Sequence, residues 1–209
     1  MPLPSLSPNP TRHPNLCLSI SRPLFAKLRS LLPPHSPSVL TTLLSIGCGS
    51  GLLEALLQAY LQDTNTTAAI VGVEVLSASV PHLPPDRVRR VKGTWDVVTD
   101  AAAAADAWMW AYPREPRLVR CYLDKFGLRR RRVGGDDGQQ QQQQQLEAAG
   151  DAETSRSRVR RVIWLGPRVD WGDYEGVLRD SVFGENIEVF CGSEAGLAEE
   201  EMMAVGTRD

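Results

Sequence analysis

Leu43-Leu44-Ser45-Ile46-Gly47-Cys48-Gly49-Ser50-Gly51 is the stretch on which the fold of this 209-residue chain turns. An apolar run passes into three alternating glycines and then into the Leu-rich segment that begins at Leu52. That order predicts a strand, a tight loop and a helix. Glycine lets the backbone bend there and lets a ligand approach main-chain N–H groups with no Cβ in the way. A second apolar run, Ala69-Ile70-Val71-Gly72-Val73, leads to Glu74, an acid placed at a strand end where it can grip a pair of ribose hydroxyls. The two elements together predict a site for a nucleoside-containing cofactor.

Spacing narrows the ligand. A dinucleotide loop needs glycine at its first, third and sixth positions. Counting from Gly47, the sixth position is Leu52, and the third glycine comes one residue early, at Gly51. The tighter G-x-G-x-G loop suits a ligand without phosphate. With Gly47, Gly49 and Gly51 followed by Glu74, the chain resembles class I S-adenosylmethionine-dependent methyltransferases. It is also similar to small methyltransferase-like proteins of eukaryotes, fungal ones especially, whose acceptor the resemblance does not name. The resemblance spans roughly residues 21–209, with its specific motifs in the first third. It implies S-adenosyl-L-methionine as cofactor, Gly47, Cys48, Gly49 and Gly51 along the ligand, and Glu74 on the ribose. The family has an acid two residues before the first glycine, near the methionine amino group; here Ser45 stands there, an acceptor without countercharge. Trp95 is the candidate to lie flat on an adenine, with capping of the sheet edge as the alternative, and Asp96 the candidate to accept from the exocyclic amine.

The expected fold is α/β: a three-layer, Rossmann-like sandwich around a mostly parallel seven-stranded sheet with an antiparallel end strand. Strands are predicted at 39–46, 69–75, 88–92, 106–112, 159–165, 187–191 and 202–206. Helices are predicted at 22–32, 52–61, 97–105, 116–126 and 173–182, with a short one beginning at 77–80. In the helix after the glycine loop, Glu54, Gln58 and Gln62 stand four apart and read as one wet stripe on an apolar body. Residues 1–21 read as a flexible Pro/Ser-rich arm, and residues 22–209 as the domain. Residues 129–158 read as a low-complexity insertion: four arginines, a Gly/Asp turn and the glutamines Gln139 to Gln145.

Acceptor chemistry belongs at Tyr112-Pro113-Arg114-Glu115, at the end of the fourth strand. Tyr112 is the candidate for positioning an acceptor or moving a proton, and Arg114 for holding a carboxylate. Against both stands a structural reading, with Tyr112 packed and Arg114 paired with Glu115 in solvent. The stretch is not the Asn/Asp-Pro-Pro-Tyr/Phe motif that grips a planar nitrogen, which argues against a nucleic-acid base as acceptor. His82 is the one histidine placed near the cleft, and Asp106, at the other end of its strand, reads as structural. The acceptor implied is a small molecule or a partner protein.

Composition supplies the outer bounds. A net charge of −2 gives no general attraction to nucleic acid or anionic lipid. Four scattered cysteines signal neither a zinc site nor a disulfide framework, so no metal is expected and a reducing compartment is, cytoplasmic or nuclear. No apolar run reaches membrane-spanning length. The acid-poor N-terminus has a transit-like composition, but its prolines break the amphipathic helix a mitochondrial address needs. Two other functions fit the same residues: a non-catalytic scaffold that keeps the fold, and a nicotinamide-dependent oxidoreductase. The latter lacks the Tyr-x-x-x-Lys pair of the common short-chain type.

Overall fold

The apolar runs of the sequence fold as a seven-stranded sheet whose residues alternate between two faces. In the computed structural model, which describes residues 3–32, 40–130 and 157–208, the chain starts with a hairpin of β1 (Thr11–His13) and β2 (Leu16–Ile20). Helix α1 (Arg22–Leu31) follows, with Ser21 as N-cap: its hydroxyl accepts from the Leu24 N–H at 3.1 Å, and proline sits in the first turn. Then come β3 (Thr41–Ile46), α2 (Leu52–Asp63), β4 (Ala68–Val75), β5 (Val88–Val91), α3 (Thr99–Ala104), β6 (Ala107–Ala111) and α4 (Pro116–Lys125). Beyond residue 157 lie β7 (Arg161–Pro167), α5 (Trp171–Arg179), β8 (Ile187–Cys191), the single-turn α6 (Gly192–Ala195) and β9 (Glu201–Thr207).

The sheet order is β5-β4-β3-β6-β7-β9-β8. Pairs from β5 through β7 are parallel; β9 runs antiparallel to both β7 and β8, so the reversed strand sits at that end of the sheet with β8 outside it. Strand parity assigns the core. Ala107, Met109, Ile163 and Leu165 join α1, α2 and the hairpin on one face. Trp108, Trp110, Val162 and Trp164 join α3, α4 and α5 on the other, where Trp108 meets Trp110 and Tyr122 edge to face at 6.0 and 5.6 Å. These are the three layers that the order of elements predicts.

Four local expectations are corrected. Residues 11–20 are not an arm: the Pro14-Asn15 turn folds them into the hairpin, and the period-two run Leu16-x-Leu18-x-Ile20 drives Leu18 and Ile20 into the core. The stretch at 77–80 is a turn and bend, not a helix, since Pro81 and the prolines after it leave no room for one. Glu54 is not on a wet stripe; it is 1% exposed. Finally, the expected insertion is too wide at both ends. Arg129 bridges Ser181, the Arg130 N–H donates to the Asp180 carbonyl, and Arg158 pairs with buried Asp106 at 2.8 Å. The rest of that segment, 131–156, lies outside the described residues. Asp106 also accepts the Thr42 N–H at 2.8 Å, so it clamps the amino-terminal end of the sheet, as the sequence reading has it.

Candidate functional site

A cavity of about 390 Å³ opens at the carboxyl ends of β3, β4 and β6. β3 pairs with β4 on one side and β6 on the other, so this is where strand order reverses and where open α/β sheets bind ligands. The volume suits a small-molecule site.

The glycine loop forms one wall. Gly47, Gly49 and Gly51 all take positive φ, at 77°, 54° and 76°. A Cβ added at Gly47 or Gly49 would meet nothing within 4 Å, whereas one at Gly51 would lie 2.8 Å from Val80 and 2.9 Å from Leu83. The first two glycines therefore face open space, and the third packs the loop down. Gly51→Ala is expected to destabilise the protein by about 2 kcal/mol, from a left-handed Cβ and the displaced neighbours, measurable as a lower urea midpoint at unchanged m. Within the loop the Gly47 and Cys48 N–H groups donate to the Val73 carbonyl at 2.9 and 3.0 Å.

Glu74, next to last in β4, faces this loop. One carboxylate oxygen accepts the Gly49 N–H at 2.7 Å and the other its neighbour Val75 N–H at 2.9 Å. Two backbone donors fix its orientation and leave lone pairs on both oxygens for a diol. Cys48 lines the cavity, while its buried Sγ packs against Gly72, Val80 and Leu83. Burial pushes the thiol well above its ordinary range, so it is a packing residue and not a nucleophile.

The other predicted residues divide. Thr94 and Trp95 line the cavity, with the Arg117 guanidinium 5.0 Å from the Trp95 ring. Asp96 does not reach it: its carboxylate accepts the Lys92 and Gly93 N–H groups at 3.1 and 2.8 Å, closing its own turn. Tyr112 and Arg114 both line the cavity. The Tyr112 hydroxyl donates to Glu201 at 2.7 Å, and burial with that carboxylate pushes the phenol well above its ordinary range. That hydrogen bond commits the phenol proton to Glu201 and fixes Tyr112 in the wall. His82 stands outside the cavity lining and turns its backbone N–H to the Ser50 carbonyl at 3.2 Å.

Two contributions were missed from sequence. Residues 15–18 of the hairpin line the cavity, held there by Ser50 Oγ donating to the Asn15 carbonyl at 2.8 Å. The alternation Leu16-x-Leu18-x-Ile20 was the available signal. The second is Glu54, in the first turn of α2, which lines the same cavity from a fully buried position. Ser45 Oγ donates to Glu54 Oε1 at 2.5 Å, and Oε2 has no hydrogen-bond partner among the described residues. Burial raises this carboxyl to about 7, against the partly offsetting Ser45 hydrogen bond. An acid amid Leu52, Leu53, Ala55, Leu56 and Leu57 was its only sequence mark.

The architecture has solved counterparts. A class I S-adenosylmethionine-dependent methyltransferase from Listeria monocytogenes, so described provisionally, aligns with TM-score 0.50 at 13% identity. The match covers 89% of this chain and 58% of that one. The fold is methyltransferase-like. Two further structures align at lower scores. The delta-N METTL16 methyltransferase domain has TM-score 0.47 at 16% identity, over 90% of this chain and 83% of its own. A human methyltransferase 10 domain containing protein has 0.44 at 14%, over 88% and 78%. No family model and no curated protein sequence matches the chain. Among the described residues, no helix is long and apolar enough to cross a membrane, and no group of three or more His, Cys, Asp or Glu side chains could hold a metal ion.

Proposed function

We propose that this protein binds S-adenosyl-L-methionine and transfers its methyl group to a small-molecule or protein acceptor. The observation that carries the reading is the pairing of Glu74 with the Gly49 N–H at the mouth of a glycine loop that leaves an open face. The residues present fit the group. Gly47 and Gly49 give it a backbone surface, Glu74 keeps acceptor capacity for the sugar, and Trp95 presents a ring to the base.

The cofactor would supply a methyl group already activated by a sulfonium. The chain's own task is then to align the acceptor and exclude water, which needs no acid or base of perturbed strength. Tyr112, locked to Glu201, and the hairpin segment 15–18 form the walls that would do this. Arg114, exposed at the rim, would hold an anionic part of the acceptor.

Titration calorimetry tests the reading with S-adenosylmethionine, S-adenosylhomocysteine and NAD. Heat with the two adenosyl ligands and none with NAD is expected. Heat with NAD alone would establish the nicotinamide alternative, and no heat with any would leave a scaffold. Glu74→Ala is expected to weaken S-adenosylhomocysteine binding by about 1–3 kcal/mol, because the sugar hydroxyls lose a charged acceptor. Undiminished affinity in that variant would remove Glu74 from the site.

A further inference from the structure

We infer that Glu54 is the residue that receives the ammonium group of the bound ligand, in a position on α2 rather than on the strand before the glycine loop. The inference rests on the proposed adenosyl cofactor and assigns its amino-acid end. Glu54 is 1% exposed, yet it lines the cavity. Its Oε1 is satisfied by Ser45, while Oε2 faces no donor among the described residues. The charge that reaches it from a neighbour is that of Glu74, a second carboxylate and so repulsive.

A buried acid oxygen without a donor is costly, and chains keep such a group where something arrives to satisfy it. A cation with N–H donors, small enough for the cavity, would satisfy that oxygen and favour its charged form. A primary ammonium meets both conditions. Ser45 then has a defined part: it spends its hydroxyl hydrogen on Oε1 and orients the carboxylate, leaving Oε2 for the ligand. A purely structural role, as an acid in the first turn of a helix, explains neither the burial nor the unpartnered oxygen.

A ligand-and-mutation cycle separates these roles. The affinities of wild type and Glu54→Gln are measured for S-adenosylhomocysteine and for its analogue lacking only the α-amino group. Wild type is expected to prefer the amino-bearing ligand by tenfold or more, and Glu54→Gln by less than about threefold, as suits the loss of one charged hydrogen bond. The deaminated ligand should bind both proteins alike, which also shows that the variant is folded. A preference that survives in Glu54→Gln, or equal losses for both ligands, overturns the assignment and leaves the cofactor reading standing. Failure of wild type to bind either ligand overturns both.

Discussion

Glu201→Ala is expected to destabilise the protein by about 3–5 kcal/mol, the range for removing one partner from a buried charged network. Glu201 opens β9 and is 0% exposed. It accepts the Ser19 N–H at 3.1 Å, the Ser19 hydroxyl, the Tyr112 hydroxyl at 2.7 Å and the Ala198 N–H at 3.4 Å, and it lies 3.4 Å from the Arg12 guanidinium. These donors come from the hairpin, from the cavity wall and from the turn before β9. Losing the carboxylate strands the buried Ser19 N–H and removes the acceptor of the Ser19 and Tyr112 hydroxyls, whereas the Ala198 N–H keeps Ser19 Oγ at 2.9 Å and an exposed ion pair such as Arg12–Glu200 contributes little. Glu201→Gln keeps the shape and one acceptor and should cost clearly less. Urea denaturation of both variants measures the difference; a loss under about 1 kcal/mol for alanine would mean that the hairpin docks through Leu18 and Ile20 alone.

Glu54→Gln is expected to shift stability in the opposite sense, and only above acid pH. The Glu54 carboxyl is raised from an ordinary value of 4.5 to about 7 in the folded protein, chiefly by burial. Below pH 4.5 both folded and unfolded chains hold the proton. As pH rises through 4.5 the unfolded chain releases it while the folded chain retains it until about 7, so wild-type stability falls across that window. Glutamine has no proton to lose. The stability of Glu54→Gln relative to wild type, both without ligand, should therefore rise by on the order of 3 kcal/mol between pH 4.5 and pH 8. Ser45 from β3, Cys48 from the loop and Glu74 from β4 face the same group, and they are unchanged in the variant. A flat difference across that range, measured by denaturation at four pH values, would show that Glu54 is not buried as a charged group. Its removal thus trades ligand affinity for stability, the sign expected of a binding residue.

The sheet was legible because parallel strands write themselves as apolar runs and because glycine and proline punctuate them. Predicted strands at 69–75 and 187–191 fall within a residue of β4 and β8, and the helix at 116–126 within one residue of α4. The glycine loop was legible for a different reason: three positive φ values in five residues admit little else. What stayed hidden depends on contacts far apart in the chain. A proline-rich count concealed the hairpin, whose burial requires Glu201, 182 residues beyond Ser19. Helical spacing placed Glu54 beside Gln58 and Gln62, but periodicity cannot see Ser45 beneath the first turn. Asp96 read as a ligand group because its type suited one, although two local N–H groups already claim it.

The most direct trial of the central claim observes the loop itself. In 15N-labelled protein the amide resonances of Gly47, Gly49 and Gly51 are followed while S-adenosylhomocysteine is added. Saturable shifts of Gly47 and Gly49, lost or weakened in Glu74→Ala, are the predicted result. Binding that leaves all three glycine amides in place would contradict the account.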